Sequence, residues 1–160
     1  MLIKDLTIRD VGMVENDNGL FSIKIHKDYI PGLLGLKGYS HIIVIWYFHN
    51  SKGSKNNDQF VFEKPYKKGP EKIGVFSTRS QFRPNPLALS VAKIKEIDFE
   101  KGLIKIWWIE ADNGSPVLDI KPYMPSVDRV ETPKIPDWCK HWPNSIEKSM
   151  NFNWEDEFNF

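Results

Sequence analysis

Cysteine and long apolar segments are both scarce in this chain of 160 residues. The single cysteine, Cys139, cannot form an internal disulfide, which is typical of a reducing cytoplasm, and we expect its thiol to be packed rather than nucleophilic. The longest apolar run, Ile42 to Phe48, is far shorter than the roughly 20 residues of a membrane-spanning helix. Residues 1–5 mix acid and base and lack the apolar core of a signal peptide. We therefore expect a cytoplasmic protein without a membrane segment.

An excess of one charge is also absent, because 22 Lys and Arg residues against 21 Asp and Glu give a net charge of +1. This balance excludes an extended basic stripe for nucleic acid and leaves room only for weak contact with RNA phosphates. The chain has no HExxH motif, no CxxC pair and no GxGxxG after its first predicted strand. His41 and His49 would lie ~26 Å apart along one straight strand, too far to share a metal ion. We expect neither a metal site nor a Rossmann domain.

Short apolar segments, many of them alternating and separated by turn residues, are abundant and predict a mainly β protein, either a barrel or a strongly curved sheet. The turn-forming run 15–19 lies between two such segments and predicts a β-hairpin. A short helix or coil is expected at 28–36 and a short helix at 144–150. The predicted strands cover residues 7–14, 20–26, 41–49, 59–62, 74–76, 87–97, 103–110 and 117–120.

The segment 74–92 is the most informative part of the sequence for function. It places Arg79 and Arg83 in a loop that ends in the corner Pro84-Asn85-Pro86. Each proline fixes its own φ and biases the preceding residue toward extended geometry, so Arg83 and Asn85 are held in place. Because a guanidinium gives paired hydrogen bonds to carboxylate or phosphate, this loop indicates a site for an anionic or polar ligand.

A second polar cluster follows at residues 112–123. Asp119 and Lys121 alternate with apolar residues, so both should project from one face of a strand. They form either an ordinary surface pair or, with Tyr123, the lining of a pocket. The adjacent residues Trp107 and Trp108 should face opposite sides of a strand, one in the core and the other free for stacking or an interface.

The C-terminal part of the chain is rich in proline and aromatic residues and shows no periodicity. We predict a barrel domain at 1–125 and an irregular tail at 126–160. The apolar rings of this tail must be buried somewhere, either against the barrel or against a partner subunit.

Three segments together resemble the TsaA-like, TrmO-type family of S-adenosylmethionine-dependent tRNA methyltransferases. They are Gly35-Leu-Lys-Gly-Tyr-Ser-His41 with the strand that follows, Gly74-Val-Phe-Ser-Thr-Arg-Ser-Gln-Phe-Arg-Pro-Asn-Pro86, and Gly114-Ser-Pro-Val-Leu-Asp-Ile-Lys-Pro-Tyr123. The resemblance covers roughly residues 6–125, and the middle motif is very specific. It implies a single-sheeted β-barrel, a homodimer, S-adenosylmethionine as cofactor and tRNA as partner.

The resemblance also implies an activity, methylation of the exocyclic nitrogen of threonylcarbamoyl-adenosine beside the tRNA anticodon, and roles for individual residues. Asp119 and Lys121 would complete the pocket; because this nitrogen must lose its proton, our hypothesis for the catalytic residues is Asp119 as the general base and Lys121 as the group that stabilises charge on the carbamoyl oxygen. The substrate side would be formed by Arg83, Asn85 and Tyr123. The implied cofactor contacts are His49, Asn50, Arg79, Leu89, Ile109, Glu110, Ala111 and Asp112.

The sequence departs from the family pattern in four places. A Pro-Arg-Gln-Pro-type loop between the first two strands, which contacts the cofactor in the family, is replaced by 15–19. In place of the family's usual Pro-Ile-Gly-Leu, this chain has Pro86-Leu-Ala-Leu89. Glu110 occupies an acidic position that is usually Asp. Longer members have a further C-terminal domain, whereas this sequence has the tail at 126–160. Two alternatives therefore stay open: a methyltransferase of the same fold with another small or nucleotide-like substrate, and a non-catalytic barrel that binds a ligand or RNA.

Overall fold

Eight strands form two sheets in the part of the chain that the computed structural model describes, residues 7–51 and 59–159. Residues 1–6, 52–58 and 160 lie outside these ranges, so the expectation of no signal peptide at residues 1–5 falls outside the described residues. The strands are β1 (Gly12–Asp17), β2 (Leu20–Ile25), β3 (His41–Tyr47), β4 (Val61–Glu63), β5 (Lys72–Gly74), β6 (Leu87–Asp98), β7 (Leu103–Ile106) and β8 (Pro116–Pro122).

Helices are few and short. The two α-helices among the described residues, α1 (Pro125–Asp128) and α2 (Ile146–Ser149), have one turn each. The 3₁₀ segments are Lys27–Leu33, His49–Ser51, Val75–Ser77, Asp137–Cys139 and Trp154–Asp156. Within the described ranges, no helix is long and apolar enough to span a membrane.

Six strands close into an antiparallel barrel in the order β1-β2-β7-β6-β3-β8. The ring closes because β8 pairs on one side with β1 and on the other with β3. This closed sheet with short helices confirms the predicted fold class, a mainly β single-sheeted barrel. Closure removes the free sheet edges that an open sheet would expose.

The barrel interior is filled by side chains, so ligand sites must be formed at its ends or on its outside. Along β3 the alternate residues Ile42, Val44 and Trp46 point inward and are at most 2 % exposed. The large indole of Trp46 lies opposite the small Ala88 of β6, which allows it to fit in the interior. The buried core consists of Val14, Ile23, Ile25, Leu33, Leu36, Ile42, Val44, Trp46, Ala88, Ala92, Ile104, Ile106, Ile109, Ala111 and Val117.

The predicted hairpin between the first two strands is confirmed, although β1 begins at Gly12 rather than at Thr7. Asn18 and Gly19 both have positive φ, 50° and 86°, which is the geometry of a type I′ turn. The side-chain oxygen of Asn16 accepts a hydrogen bond from the Gly19 amide at 3.0 Å and closes the turn.

Two strand predictions were wrong near the functional segments. Residues 75–77 form a 3₁₀ turn rather than a strand, and the strand before it is β5. β7 ends at Ile106 rather than at Glu110, so the alternation of sides stops there. Trp107 and Trp108 are therefore both exposed, at 55 % and 57 %, and Ile109 occupies the core instead.

The chain forms two compact units. One contains residues 1–53 and 85–129 and includes the barrel; the other contains residues 54–84 and 130–160. The second unit joins β4 and β5 to the C-terminal tail. The domain division at residue 125 that we expected from the sequence stays a prediction.

An aromatic cluster forms the centre of the second unit. Tyr66 stacks on Trp138 with ring centroids 5.0 Å apart, and its backbone pairs with that of Phe158. Neighbouring rings lie 4.9 to 6.3 Å apart, a range in which aromatic pairs attract one another. The tail rings are therefore buried, at least in part, against each other and against Tyr66. The cluster contains Tyr66, Trp138, Trp142, Phe152, Trp154 and Phe158.

The only cysteine lies beside this cluster as a packed thiol, as expected. Cys139 is buried, and its Sγ donates a hydrogen bond to the Pro136 carbonyl at 3.3 Å. Burial raises the pKa of the Cys139 thiol. The reactive thiolate form is therefore disfavoured.

A buried carboxylate holds the tail together. Glu157 is only 5 % exposed and accepts hydrogen bonds from the Trp142 indole at 3.0 Å and from the His141 ring at 2.8 Å. The Lys67 amide donates to its backbone carbonyl. The indole hydrogen bond, together with the nearby His141 and Lys68, lowers the pKa of Glu157 against the opposing effect of burial.

We expect the second unit to lose stability in acid through Glu157. Since its folded pKa lies below the ordinary value of 4.5, its contribution is complete above that pH and is lost as the pH falls through the folded value. Glu157→Gln should lower the midpoint of thermal unfolding at pH 7, and the midpoint of this variant should fall less steeply below pH 4.5 than that of the unmodified protein. Tryptophan fluorescence during heating measures both midpoints.

The exposed neighbour provides the matched control, because Glu155→Gln makes the same change at a solvated position. A Glu157→Gln variant with the same midpoint and the same acid profile as Glu155→Gln would show that the buried charge contributes nothing.

Candidate functional site

Four polar side chains meet at one end of the barrel. The Asn50 amide donates from Nδ2 to Oδ2 of Asp112 at 2.8 Å, and the His49 ring lies with Nδ1 3.3 Å from Oγ of Ser115. Asn50 and Asp112 are exposed, whereas Ser115 is buried. The segment after β3 is thereby joined to the segment before β8 by two side-chain hydrogen bonds.

The backbone of β3 ends just before this point for a local reason. The Phe48 amide donates to the carbonyl of Pro86, at the start of β6, at 2.9 Å. The chain then enters the 3₁₀ turn His49–Ser51, in which the buried Ser51 hydroxyl donates to the Phe48 carbonyl at 2.8 Å. Asn85 precedes Pro86, is exposed, and accepts the Leu87 amide through its backbone carbonyl. The proline corner therefore helps to fix where His49 and Asn50 emerge.

The segment 109–112 alternates between core and surface. Ile109 and Ala111 are buried in the barrel core. The residues that follow each of them, Glu110 and Asp112, are exposed. Of the predicted cofactor residues, Ile109 and Ala111 therefore support the segment through their side chains. Glu110 and Asp112 present carboxylates to solvent.

A hydrogen-bond chain connects the core to Glu110. The Trp46 indole donates to Oγ of Ser90 at 2.9 Å, and that hydroxyl lies 3.1 Å from Oε1 of Glu110, to which it donates. Sequence reasoning missed Ser90. The available signal was its position between Ala88 and Ala92, where alternation along β6 points a polar side chain inward.

Asp119 and Lys121 lie on the outer face of the barrel, as their spacing predicted, and form an ion pair of 2.7 Å. Their side chains are 49 % and 58 % exposed, as in an ordinary surface pair, and the hydrogen bond to Asp119 and its charge raise the pKa of Lys121. Leu89 lies on the same face, because Ile45 pairs with Leu89 on one side and with Asp119 on the other.

Tyr123 follows β8 beside the first residue of β3. Its amide donates to the His41 carbonyl at 3.1 Å, and the two rings meet edge to face with centroids 6.4 Å apart. One depression on the barrel unit is lined by Gly32, Leu33, Leu34, Gly35, Leu36, Tyr39, Ile120 and Pro122. None of the predicted site residues lines it.

Arg79 and Arg83 belong to the second unit. Nη2 of Arg83 donates to the backbone carbonyls of Val75 and Thr78, at 3.1 and 3.2 Å. Arg83 therefore stabilises the 75–78 turn, and its other N–H groups are the ones that a ligand could use. Arg79 is exposed. No group of three or more His, Cys, Asp or Glu side chains within 7–51 and 59–159 is arranged to hold a metal ion.

Comparison with known proteins places this geometry in a family. Residues 9–129 match the tRNA-methyltransferase O N-terminal domain. A probable S-adenosyl-L-methionine-binding protein of Pyrococcus abyssi is 34 % identical over 142 residues, which cover 83 % of this chain and 72 % of that protein. The tRNA (adenine(37)-N6)-methyltransferase of Escherichia coli is 32 % identical over 154 residues, or 93 % of this chain.

Solved structures agree on the fold. A TrmO crystal structure superposes with a TM-score of 0.63 at 21 % identity and covers 84 % of this chain. The chain spans only 62 % of that protein and 63 % of the Escherichia coli relative. The sequence match extends over the whole barrel and includes the segments that carry His49, Asn50 and Asp112. The chain therefore belongs to the family of tRNA-methyltransferase O N-terminal domains.

Proposed function

We propose that this protein is an S-adenosylmethionine-dependent methyltransferase that modifies the exocyclic nitrogen of threonylcarbamoyl-adenosine at position 37, beside the tRNA anticodon. The observation that carries the proposal is the pair of hydrogen bonds joining His49 and Asn50 to the 112–115 segment. These bonds bring together residues to which the family resemblance assigns cofactor contacts. The methyltransferases among the relatives, such as the one of Escherichia coli, support the reaction type.

The polar atoms at this end of the barrel suit a ligand that carries hydroxyl and amino groups. Asn50 donates one amide hydrogen to Asp112, and its side-chain oxygen is of a type that accepts hydrogen bonds from a ligand. The second carboxylate oxygen of Asp112 is an acceptor of the same kind. The adenosine part of S-adenosylmethionine has ribose hydroxyls and an amine that can donate to such acceptors. The exposed Leu89 offers an apolar contact on the outer face.

S-adenosylmethionine supplies an electrophilic methyl group when bound, and the protein must supply alignment and proton removal. The carbamoyl-adenosine nitrogen is a poor nucleophile, so its proton must leave during transfer. We assign the general base to Asp119 and assign Lys121 to the charge that develops on the carbamoyl oxygen. Their ion pair must open for this, and an exposed pair of this kind costs only about 0–1 kcal/mol to break.

The substrate side is assigned to Arg83, Asn85 and Tyr123. The phenol of Tyr123 lies beyond the end of β8, two residues after Lys121. Arg83 offers N–H groups to phosphate or carboxylate, and the threonyl group of the modified adenosine carries a carboxylate. We further propose that the protein acts in the cytoplasm as a homodimer. Light scattering at several protein concentrations tests for the dimer.

We expect Asp112→Asn to weaken binding of S-adenosylmethionine by about 10- to 150-fold, because a hydrogen bond to a charged acceptor contributes about 1.5–3 kcal/mol. Isothermal titration of purified protein measures this directly. The control is Asp17→Asn, which alters an exposed carboxylate at the β1–β2 turn. Arg79→Ala in the same titration tests the predicted contribution of that arginine.

Binding of S-adenosylmethionine near one molecule per chain, weakened to this extent in Asp112→Asn and unchanged in Asp17→Asn, supports the cofactor site. Transfer of a labelled methyl group to tRNA that carries threonylcarbamoyl-adenosine then tests the acceptor. Absence of binding at millimolar ligand, with or without tRNA, would refute the methyltransferase assignment and favour a non-catalytic barrel.

A further inference from the structure

An exposed tryptophan flanked by two lysines lies on the outside of the barrel. Nζ of Lys95 is 4.7 Å and Nζ of Lys93 is 5.7 Å from the centroid of the Trp107 ring, within the range of cation–π attraction. The Trp107 amide donates to the Lys93 carbonyl at 2.9 Å, which fixes the indole beside β6. We call Trp107, Lys93 and Lys95 the Trp–Lys platform.

The charges of the platform are not neutralised by carboxylates. Within residues 7–51 and 59–159, neither Lys93 nor Lys95 has a carboxylate at ion-pair distance. The nearby Lys105 differs, because it pairs with Glu96 at 2.8 Å. Two unneutralised ammonium groups around a half-exposed indole form a surface that attracts an aromatic group attached to an anion.

A nucleotide of single-stranded RNA has this chemistry. Its base can stack on the indole, and its phosphates can bind the flexible lysine side chains, which are free to move off the ring. A base inside a duplex presents only its edge and cannot stack in this way. An acidic peptide would complement the lysines but would leave the indole without a flat aromatic partner.

The platform lies on the same chain segments as the candidate site. Lys93 follows Leu89 on the outer face of β6 by four residues, or about 13 Å of strand. Trp107 lies two residues before the segment 109–112, in which Asp112 accepts a hydrogen bond from Asn50. An RNA strand that reaches the candidate site along this face can therefore also contact the platform.

We propose that the Trp–Lys platform binds an unpaired anticodon-loop nucleotide that flanks the adenosine to be methylated. The inference rests on the proposed function for the identity of the RNA. The platform is a second RNA-binding surface, which binds the strand next to the target base. Trp107 provides stacking, and Lys93 and Lys95 provide the salt-dependent part of binding.

Binding of fluorescently labelled tRNA, measured by anisotropy without cofactor, tests this. Trp107→Ala should weaken binding about 5- to 150-fold, the factor that one base–aromatic stack contributes. Trp107→Phe should retain most of the affinity. Joint replacement Lys93→Gln and Lys95→Gln should reduce the slope of log K against log salt by about 1.4, as expected for two contacts to single-stranded phosphates.

Two neighbours serve as matched controls. Trp108→Ala removes an equally exposed indole for which no flanking ammonium is found in the described chain, and Lys105→Gln removes a lysine already paired with Glu96. Both should bind tRNA within about twofold of the unmodified protein. The variants alter exposed side chains, and circular dichroism confirms that the barrel is intact.

Unchanged affinity in Trp107→Ala, an unchanged salt slope in the lysine variant, or no tRNA binding by the unmodified protein would each overturn the platform. Failure of the proposed function has a different signature. In that case tRNA binding and its dependence on Trp107 persist, but S-adenosylmethionine does not bind or no methyl group is transferred.

Discussion

Replacement of Asp119 by asparagine is expected to lower kcat for tRNA methylation by about 10²- to 10⁴-fold, the usual contribution of a positioned general base. In the unmodified protein the Ile120 amide donates to Oδ1 of Asp119 at 2.9 Å. Asparagine has the same size and retains an oxygen that can accept this hydrogen bond. It cannot take a proton. Single-turnover transfer of a labelled methyl group to tRNA measures the loss.

Binding of S-adenosylmethionine separates a catalytic loss from a structural one. The affinity of Asp119→Asn for the cofactor, measured by titration calorimetry, should stay unchanged, because Asp119 is assigned to the nucleophile. Asp128→Asn is the control, since that carboxylate caps α1 through the Met124 amide and has no assigned role in transfer. Full turnover by Asp119→Asn with normal cofactor binding would exclude it as the base. Glu110, oriented by Ser90, would then be the next carboxylate to test.

Replacement of Trp46 by alanine is expected to destabilise the barrel by about 3–5 kcal/mol, the range measured for large aromatic side chains in protein cores. Trp46 is 2 % exposed, and its indole also donates to Ser90. Because small domains are stable by only about 5–15 kcal/mol, this one change removes a large fraction of the total. Denaturant titration followed by far-UV circular dichroism measures it.

Two further variants test the reason for this loss. Trp46→Phe keeps most of the buried ring and loses the donor to Ser90, so it should destabilise the barrel less than alanine does. Trp108→Ala removes an indole of the same size from an exposed position and should change stability by less than about 0.5 kcal/mol. If Trp46→Ala and Trp108→Ala had similar midpoints, the assignment of Trp46 to the core would be incorrect.

Much of the barrel follows from local sequence. The near-continuous apolar run around Val44 predicts a buried strand, and the turn residues Asn18-Gly19 predict a hairpin; both signals act over a few residues. The spacing of Asp119 and Lys121 likewise placed them on one face. These features are predictable because strand geometry has a period of two residues, and turn geometry depends on which residues tolerate positive φ.

Other features depend on partners far away in the chain. Strand β7 stops at Ile106 because Ile109 enters the core, so alternation could not show that both tryptophans stay outside. The Ser90–Glu110 and His49–Ser115 contacts join segments separated by 20 and 66 residues. Such contacts follow from the register of the closed sheet, which a local pattern does not determine.

The second unit is assembled from two distant pieces of chain, so each piece depends on the other for its packing. Tyr66, thirteen residues before Arg79, packs on Trp138 and Trp142 of the tail. The family match ends at residue 129, before these rings. Replacement of the tail by another segment would therefore remove two aromatic partners of Tyr66, and the new segment would have to supply its own packing for that ring.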